Sequence, residues 1–258
     1  ASIPATDGSR PAYYHSFAMT ENYFVFIEQS MYWNVKKMMT FHFTEAPPAE
    51  CLDYDPTMEV IFHVINKATG SRHPITFKSR GFACFHQVGA YERNGHIVLD
   101  LSLTDGTIIR NFYLDLLREN RAQITQADYT RFVLPIAITE EDLAAAPTDE
   151  NLIKLADTTC RAFKADASVI RITEEKLLGE DGVQFEMPRI NYDYNGREYR
   201  YVYGVSFDRK NGRFTGLVKV NAKNLTEMVR VRITFNFYLC TTRSVKCKKR
   251  NAYTHTHT

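Results

Sequence analysis

His15 and His86 are the residues of this chain best suited to do chemistry. His15 lies in Pro11-Ala-Tyr-Tyr-His-Ser-Phe17 and His86 in Phe85-His-Gln-Val-Gly-Ala-Tyr-Glu92. Each borders a strand-like run, and aromatic residues flank both: Tyr13, Tyr14 and Phe17 around the first, Phe85 and Tyr91 around the second. An imidazole enclosed by rings needs a partner for each nitrogen. A metal ion on one nitrogen and a carboxylate on the other would satisfy both. Glu186, between Phe185 and Met187, is a carboxylate in apolar company that would be costly to leave unpaired. Two imidazoles held on strands from distant parts of a β-fold can build a metal centre that stays partly open. The bland alternative stands beside this one, because a histidine next to a strand is usually a surface or hydrogen-bonded core residue. His42, His63, His73 and His96 take that second reading.

The elements that must hold these residues are β-strands, one after another. Tyr23–Glu28, Met58–Ile65 and His96–Leu103 are rich in β-branched and aromatic residues, and Asp105-Gly106 leads into a further strand-like stretch, Thr107–Leu116. More strands are expected at Arg131–Ala137, Ser168–Thr173, Glu198–Val205 and Phe214–Asn221. Turn signals punctuate them at Asn66–Gly70, Asn94-Gly95, Asn195-Gly196 and Asn211-Gly212. Helices are few: a short one over Met31–Thr40, and Thr139–Ala146, which opens with a capping box and stops at Pro147. The fold class is all-β, a sandwich, barrel or propeller with short helical insertions.

Composition narrows the function. At 258 residues the chain can bury one large β core. Its net charge of +2 makes no case for nucleic acid. The basic stretch after Glu227 reads as a solvated end rather than a binding site. Cys51, Cys84, Cys160, Cys240 and Cys247 are odd in number and scattered without zinc spacing, which suits a reducing intracellular compartment. The cytoplasm is the expected location, with the mitochondrion as the alternative because the chain starts on Ala as though mid-protein. No run of about 20 apolar residues could span a bilayer.

Four segments together resemble the carotenoid cleavage oxygenases, and most closely their animal branch. These are Ile3–Asp7 with Pro11–Gln29, then Phe85–Glu92 followed by Asn94-Gly95, then Phe185–Tyr192, and finally Tyr199–Gly204. They occur in family order across residues 3–221. The resemblance implies a seven-bladed β-propeller, here an incomplete portion, with Fe(II) on its axis. In that family four histidines bind the iron and three glutamates orient them. Carried over by motif, His15 and His86 are two of the ligands, and Glu186 is the carboxylate behind an imidazole, expected to serve His86. The activity implied is cleavage of a carotenoid or apocarotenoid double bond by dioxygen, giving carbonyl products.

The departures are equally specific. The family's first ligand would lie upstream of Ala1, and no late segment supplies the fourth, since His255 and His257 sit in an unrelated Tyr253–Thr258 tail. Gln87 and Gly89 stand where the animal branch often has His and Asn. Residues 1–228 read as a partial oxygenase domain and residues 229–258 as an atypical basic segment, with Phe235–Thr258 an artefactual or truncated end. Alone, the chain is expected to turn over little carotenoid. Two other functions stay open: a non-catalytic carotenoid- or retinoid-binding relic, and a retinoid isomerohydrolase that cleaves an ester without dioxygen. Glu21-Asn22 and Ile27-Glu-Gln29 look closer to the oxygenases. Peripheral membrane association suits lipid substrates, and the oligomeric state is not legible.

Overall fold

A computed structural model describes residues 2–43, 47–119, 125–178, 184–208 and 213–232. In chain order the strands are β1 (Ala18–Met19), β2 (Tyr23–Glu28), β3 (Met31–Trp33), β4 (Leu52–Tyr54), β5 (Val60–Asn66) and β6 (Thr76–Ser79). There follow β7 (Ala83–Arg93), β8 (His96–Thr104), β9 (Asp128–Pro135), β10 (Ala162–Asp166) and β11 (Val169–Ile172). The last are β12 (Glu175–Lys176), β13 (Gln184–Ile190), β14 (Tyr201–Asp208), β15 (Arg213–Asn221) and β16 (Met228–Arg232). Three short helices, α1 (Val35–Thr40), α2 (Leu114–Glu119) and α3 (Glu140–Ala145), interrupt the strands.

The strands form a six-stranded sheet in the order β1-β2-β5-β6-β11-β10, and two four-stranded sheets, β12-β9-β8-β7 and β13-β14-β15-β16. A small β3-β4 pair stands beside them. Neighbours are antiparallel except β6 and β11, which run parallel over Thr76–Lys78. β8 is paired on both edges and buried along its whole length, its polar His96, Asp100, Ser102 and Thr104 included. Asn94 and Gly95, both at positive φ (48° and 74°), make the two-residue turn between β7 and β8, whose twist suits a tight hairpin. One core runs through all three large sheets, with Phe62, Phe82 and Phe132 in ring contact at its centre.

Two expected elements come out differently. Thr107–Leu116 is not a strand: Gly106–Phe112 forms a 3₁₀ helix that leads into α2. Both edges of β8 are taken by β7 and β9, so a continuing strand could not pair back onto β8. Asp105 instead turns it away by accepting the Thr107 N–H. Met31–Trp33, read as the start of a helix, is a strand paired with β4, and the helix begins only after Asn34, whose side chain accepts the Lys37 N–H. The capping box of α3 is present as expected, formed by Thr139 and Asp142.

Candidate metal centre

His15 sits in the segment leading to β1, on the six-stranded sheet, while His86 lies on β7 of the next sheet and Glu186 on β13 of the third. The fold brings all three together. The rings of His15 and His86 meet edge to face with centroids 5.0 Å apart. His86 Nδ1 donates to Glu186 Oε2 at 2.7 Å. Tyr13 Oη lies 3.0 Å from His15 Nδ1. The Nε2 atoms of both imidazoles therefore stay without a hydrogen-bond partner among the described residues. Burial lowers the His15 pKa, and the neighbouring His86 adds to this against the opposing pull of Glu186. That favours the neutral ring a metal requires.

Ser16 and Gln87 hold the two imidazoles side by side. Ser16 donates its hydroxyl to the Phe85 carbonyl at 2.8 Å and accepts the Gln87 N–H at 3.0 Å. The Gln87 side-chain amide returns to the Ser16 carbonyl at 3.0 Å. The residue next to His15 is thus bonded to the residues on both sides of His86. Phe85 packs edge-on against Tyr13, His15 and Phe112 and walls the site with apolar surface. The Cys84 thiol, one residue before Phe85 on β7, is pushed up to about 12 by burial and the Glu186 charge.

Glu92 makes a second clamp between the two histidine-bearing segments. Its carboxylate accepts the Thr20 hydroxyl at 2.5 Å, the Asn22 N–H at 2.8 Å and the Asn22 side-chain amide at 3.0 Å. Burial raises its pKa, but these hydrogen bonds outweigh burial and hold it below the ordinary 4.5. The ionised form is therefore favoured in the native state, so the contribution is complete above pH 4.5 and fades as the pH falls below it. Glu92→Gln is expected to cost about 1–2 kcal/mol at pH 7, hydrogen bonds to a charged acceptor being the stronger kind. In urea titrations the gap between the two proteins should narrow at pH 3.5, and a gap independent of pH would show that the carboxylate charge does not carry it.

The other described histidines lie elsewhere. His63 is buried on β5 and bonds Glu28 through Nε2 at 2.8 Å. His73 accepts the Ile75 N–H and reaches the Ile136 carbonyl, and His96 bridges Asn94 and the Lys154 N–H. His42 lies tilted against Phe41 in the 3₁₀ turn of Phe41–Phe43. His255 and His257 fall outside the described residues.

The sequence model of the retinal pigment epithelial membrane protein family matches residues 1–244. The chain belongs to this family, the carotenoid cleavage oxygenases. It is 35% identical to a mitochondrial carotenoid-cleaving dioxygenase of Mustela putorius furo, over 88% of this chain and 43% of that protein. It is 34% identical to the β,β-carotene 15,15′-dioxygenase of Homo sapiens, over 79% of this chain and 37% of that protein. Among solved structures, cobalt-substituted Synechocystis ACO shares the fold, with a TM-score of 0.62 at 19% identity, over 86% of this chain and 39% of that one. The chain thus spans about two fifths of the length of the relatives it matches.

Within this oxygenase family the two departures on β7 acquire physical reasons. Gln87 supports His86 through its two bonds to Ser16. At Gly89 a Cβ would stand 2.8 Å from the Tyr199 ring, so the small residue is what lets that ring close over β7.

Proposed function

We propose that this chain carries two of the iron ligands of an Fe(II)-dependent oxygenase, which cleaves a carotenoid or apocarotenoid double bond with dioxygen into two carbonyl products. The observation that carries this reading is the pair of touching imidazoles, each engaged at Nδ1 and bare at Nε2, with Glu186 behind His86. The donor chemistry suits the ion, because neutral imidazoles leave its positive charge undiminished and leave room for dioxygen. The names of the relatives support the substrate class. When bound, the iron would supply the redox chemistry of the cleavage.

The chain's own residues would do the remaining work. His15 and His86 hold the ion through Nε2. Glu186 accepts the Nδ1 proton of His86, which fixes the tautomer and raises the basicity of the ring. Phe85, Phe112 and Met187 offer apolar surface to a polyene, so orientation rather than hydrogen bonding would select the bond. We read the sheets as blades of the family's seven-bladed propeller. Two observations support this: the four-stranded antiparallel sheets, and the exposed Tyr203, Leu217 and Val231 on a β13–β16 sheet whose other face is already buried. The relatives' name favours a mitochondrial location over the cytoplasm. Among the described residues no helix is long and apolar enough to cross a membrane, and a lipid substrate gives peripheral association its chemical reason.

One observation favours the non-catalytic alternative: the described residues bring together no group of three or more His, Cys, Asp or Glu able to hold a metal. Metal content and turnover of the intact protein separate the two readings. His15→Ala and His86→Ala are each expected to abolish iron retention and apocarotenoid cleavage. His63→Ala should keep both, at some cost in stability because Glu28 would keep only its two hydrogen bonds from Thr6. Unchanged iron in His86→Ala would overturn the ligand assignment, and wild-type protein that neither retains iron nor cleaves would favour the binding relic.

A further inference from the structure

Glu186 does not reach His86 from a regular strand. Between the pairs Glu186↔Val205 and Arg189↔Tyr203, β13 advances three residues while β14 advances two, so β13 carries one extra residue at this point. Met187 absorbs it. Its φ is +52°, in the left-handed region that non-glycine residues rarely enter, and its side chain is turned outward. This conformation swings the Met187 N–H back onto Glu186 Oε2 at 2.8 Å, the oxygen that also accepts His86 Nδ1–H at 2.7 Å. The other carboxylate oxygen is buried without a hydrogen-bond partner. A carboxylate with a single free rotor would be poorly aimed, whereas one gripped by its own neighbour's amide has a fixed direction.

We propose that the left-handed backbone at Met187 is a positioning device for the iron site: it aims Glu186 at His86 and thereby fixes which His86 nitrogen faces the metal. The proposal rests on the reading of His86 as a ligand and adds a backbone requirement to it. What position 187 must supply is φ above zero and an amide hydrogen, not a particular side chain. Glycine meets both demands without strain, and asparagine tolerates them. A β-branched residue resists φ above zero and would pull the bulge toward extended geometry.

The test titrates the metal-free intact protein with cobalt(II) alone, and follows His86 by selective ¹⁵N labelling without metal. Met187→Gly and Met187→Asn should bind cobalt(II) close to wild type and keep the proton of His86 on Nδ1. Met187→Val should bind about tenfold more weakly, the low end of what loss of an outer-shell partner costs, and its His86 should shift toward the Nε2-protonated tautomer. The tautomer is read in whatever fraction of Met187→Val is folded, so lowered stability does not hide the result. Wild-type affinity and tautomer in Met187→Val, with affinity lost in His86→Ala, would overturn the positioning role while sparing the ligand assignment. Undiminished affinity in His86→Ala would overturn that assignment and this proposal with it.

Discussion

Glu186→Gln is expected to weaken metal binding about 10–100-fold while leaving the fold intact, the usual consequence of losing a carboxylate behind a ligating histidine. The reasoning is chemical rather than steric, since glutamine has nearly the same shape. A carboxylate can only accept, so the 2.7 Å contact with His86 Nδ1 demands that Nδ1 carry the proton and Nε2 keep its lone pair. An amide can turn its NH₂ toward Nδ1 instead, and the ring proton would then move to Nε2, the nitrogen needed for the metal. Even with its carbonyl correctly turned, the amide is a weaker acceptor than an anion. Metal retained after dialysis, and the cobalt(II) dissociation constant, are the measurements. Because Glu186 is only half-buried, thermal unfolding of the metal-free protein should barely change. Affinity within twofold of wild type would mean that Glu186 plays no part in metal binding.

The largest effect on stability is expected at Asp100. This carboxylate lies fully buried in β8 and accepts four hydrogen bonds. Arg131 gives two, from Nε at 2.7 Å and Nη2 at 2.9 Å, while the hydroxyls of Tyr129 and Tyr199 give one each, at 2.9 and 2.7 Å. Burial alone would lower the Arg131 pKa, but Asp100 raises it and keeps the guanidinium charged. Burial also pushes both phenols well above 10, so they remain donors. Asp100→Asn would leave a buried cation without its anion, and breaking such a pair costs about 3–5 kcal/mol. Pairing it with Arg131→Met should recover much of the loss, because the penalty belongs to the stranded charge and not to the shape. Equilibrium denaturation of the two variants measures both numbers, and a single-variant cost below about 1 kcal/mol would put Asp100 in the class of surface ion pairs. The effect also reaches the metal site, since the Tyr199 ring held by Asp100 packs over Gly89, three residues beyond His86 on β7.

These two residues differ in how far sequence could reveal them. Glu186 was legible because it lies in a segment shared with the oxygenases, and its partner His86 was legible for the same reason. Residue chemistry alone left both open to ordinary readings. Asp100 carried a local signal, the lone acid in a strand with five apolar residues, but nothing in the sequence pointed to Arg131 or Tyr199 as its partners. Ser16 was invisible as a support, and Gln87 was marked only as a departure from the family, because their bonds join segments that only the completed sheets bring together. Strands with strong local patterning came through well: Tyr23–Glu28 is β2 residue for residue, and Asn94-Gly95 is the hairpin turn expected. The misread Thr107–Leu116 has strand-forming residues, but both edges of the preceding strand are taken and Asp105 turns the chain into a 3₁₀ helix, and which edges are taken belongs to topology rather than to local sequence. Met31–Trp33 failed for the converse reason, its helix-compatible residues being drawn into pairing with β4.

The place of the three site residues on three separate segments, the stretch before β1, β7 and β13, has a thermodynamic consequence. His15 precedes β1 of the six-stranded sheet, while His86 and Glu186 lie on the two four-stranded sheets, so an ion held by both imidazoles would fasten two of these segments directly and the third through a hydrogen bond. A ligand that binds only the assembled arrangement adds its occupancy to folding stability, about 2.7 kcal/mol at a concentration one hundred times its dissociation constant. Metal occupancy and folding stability would then be a single linked quantity.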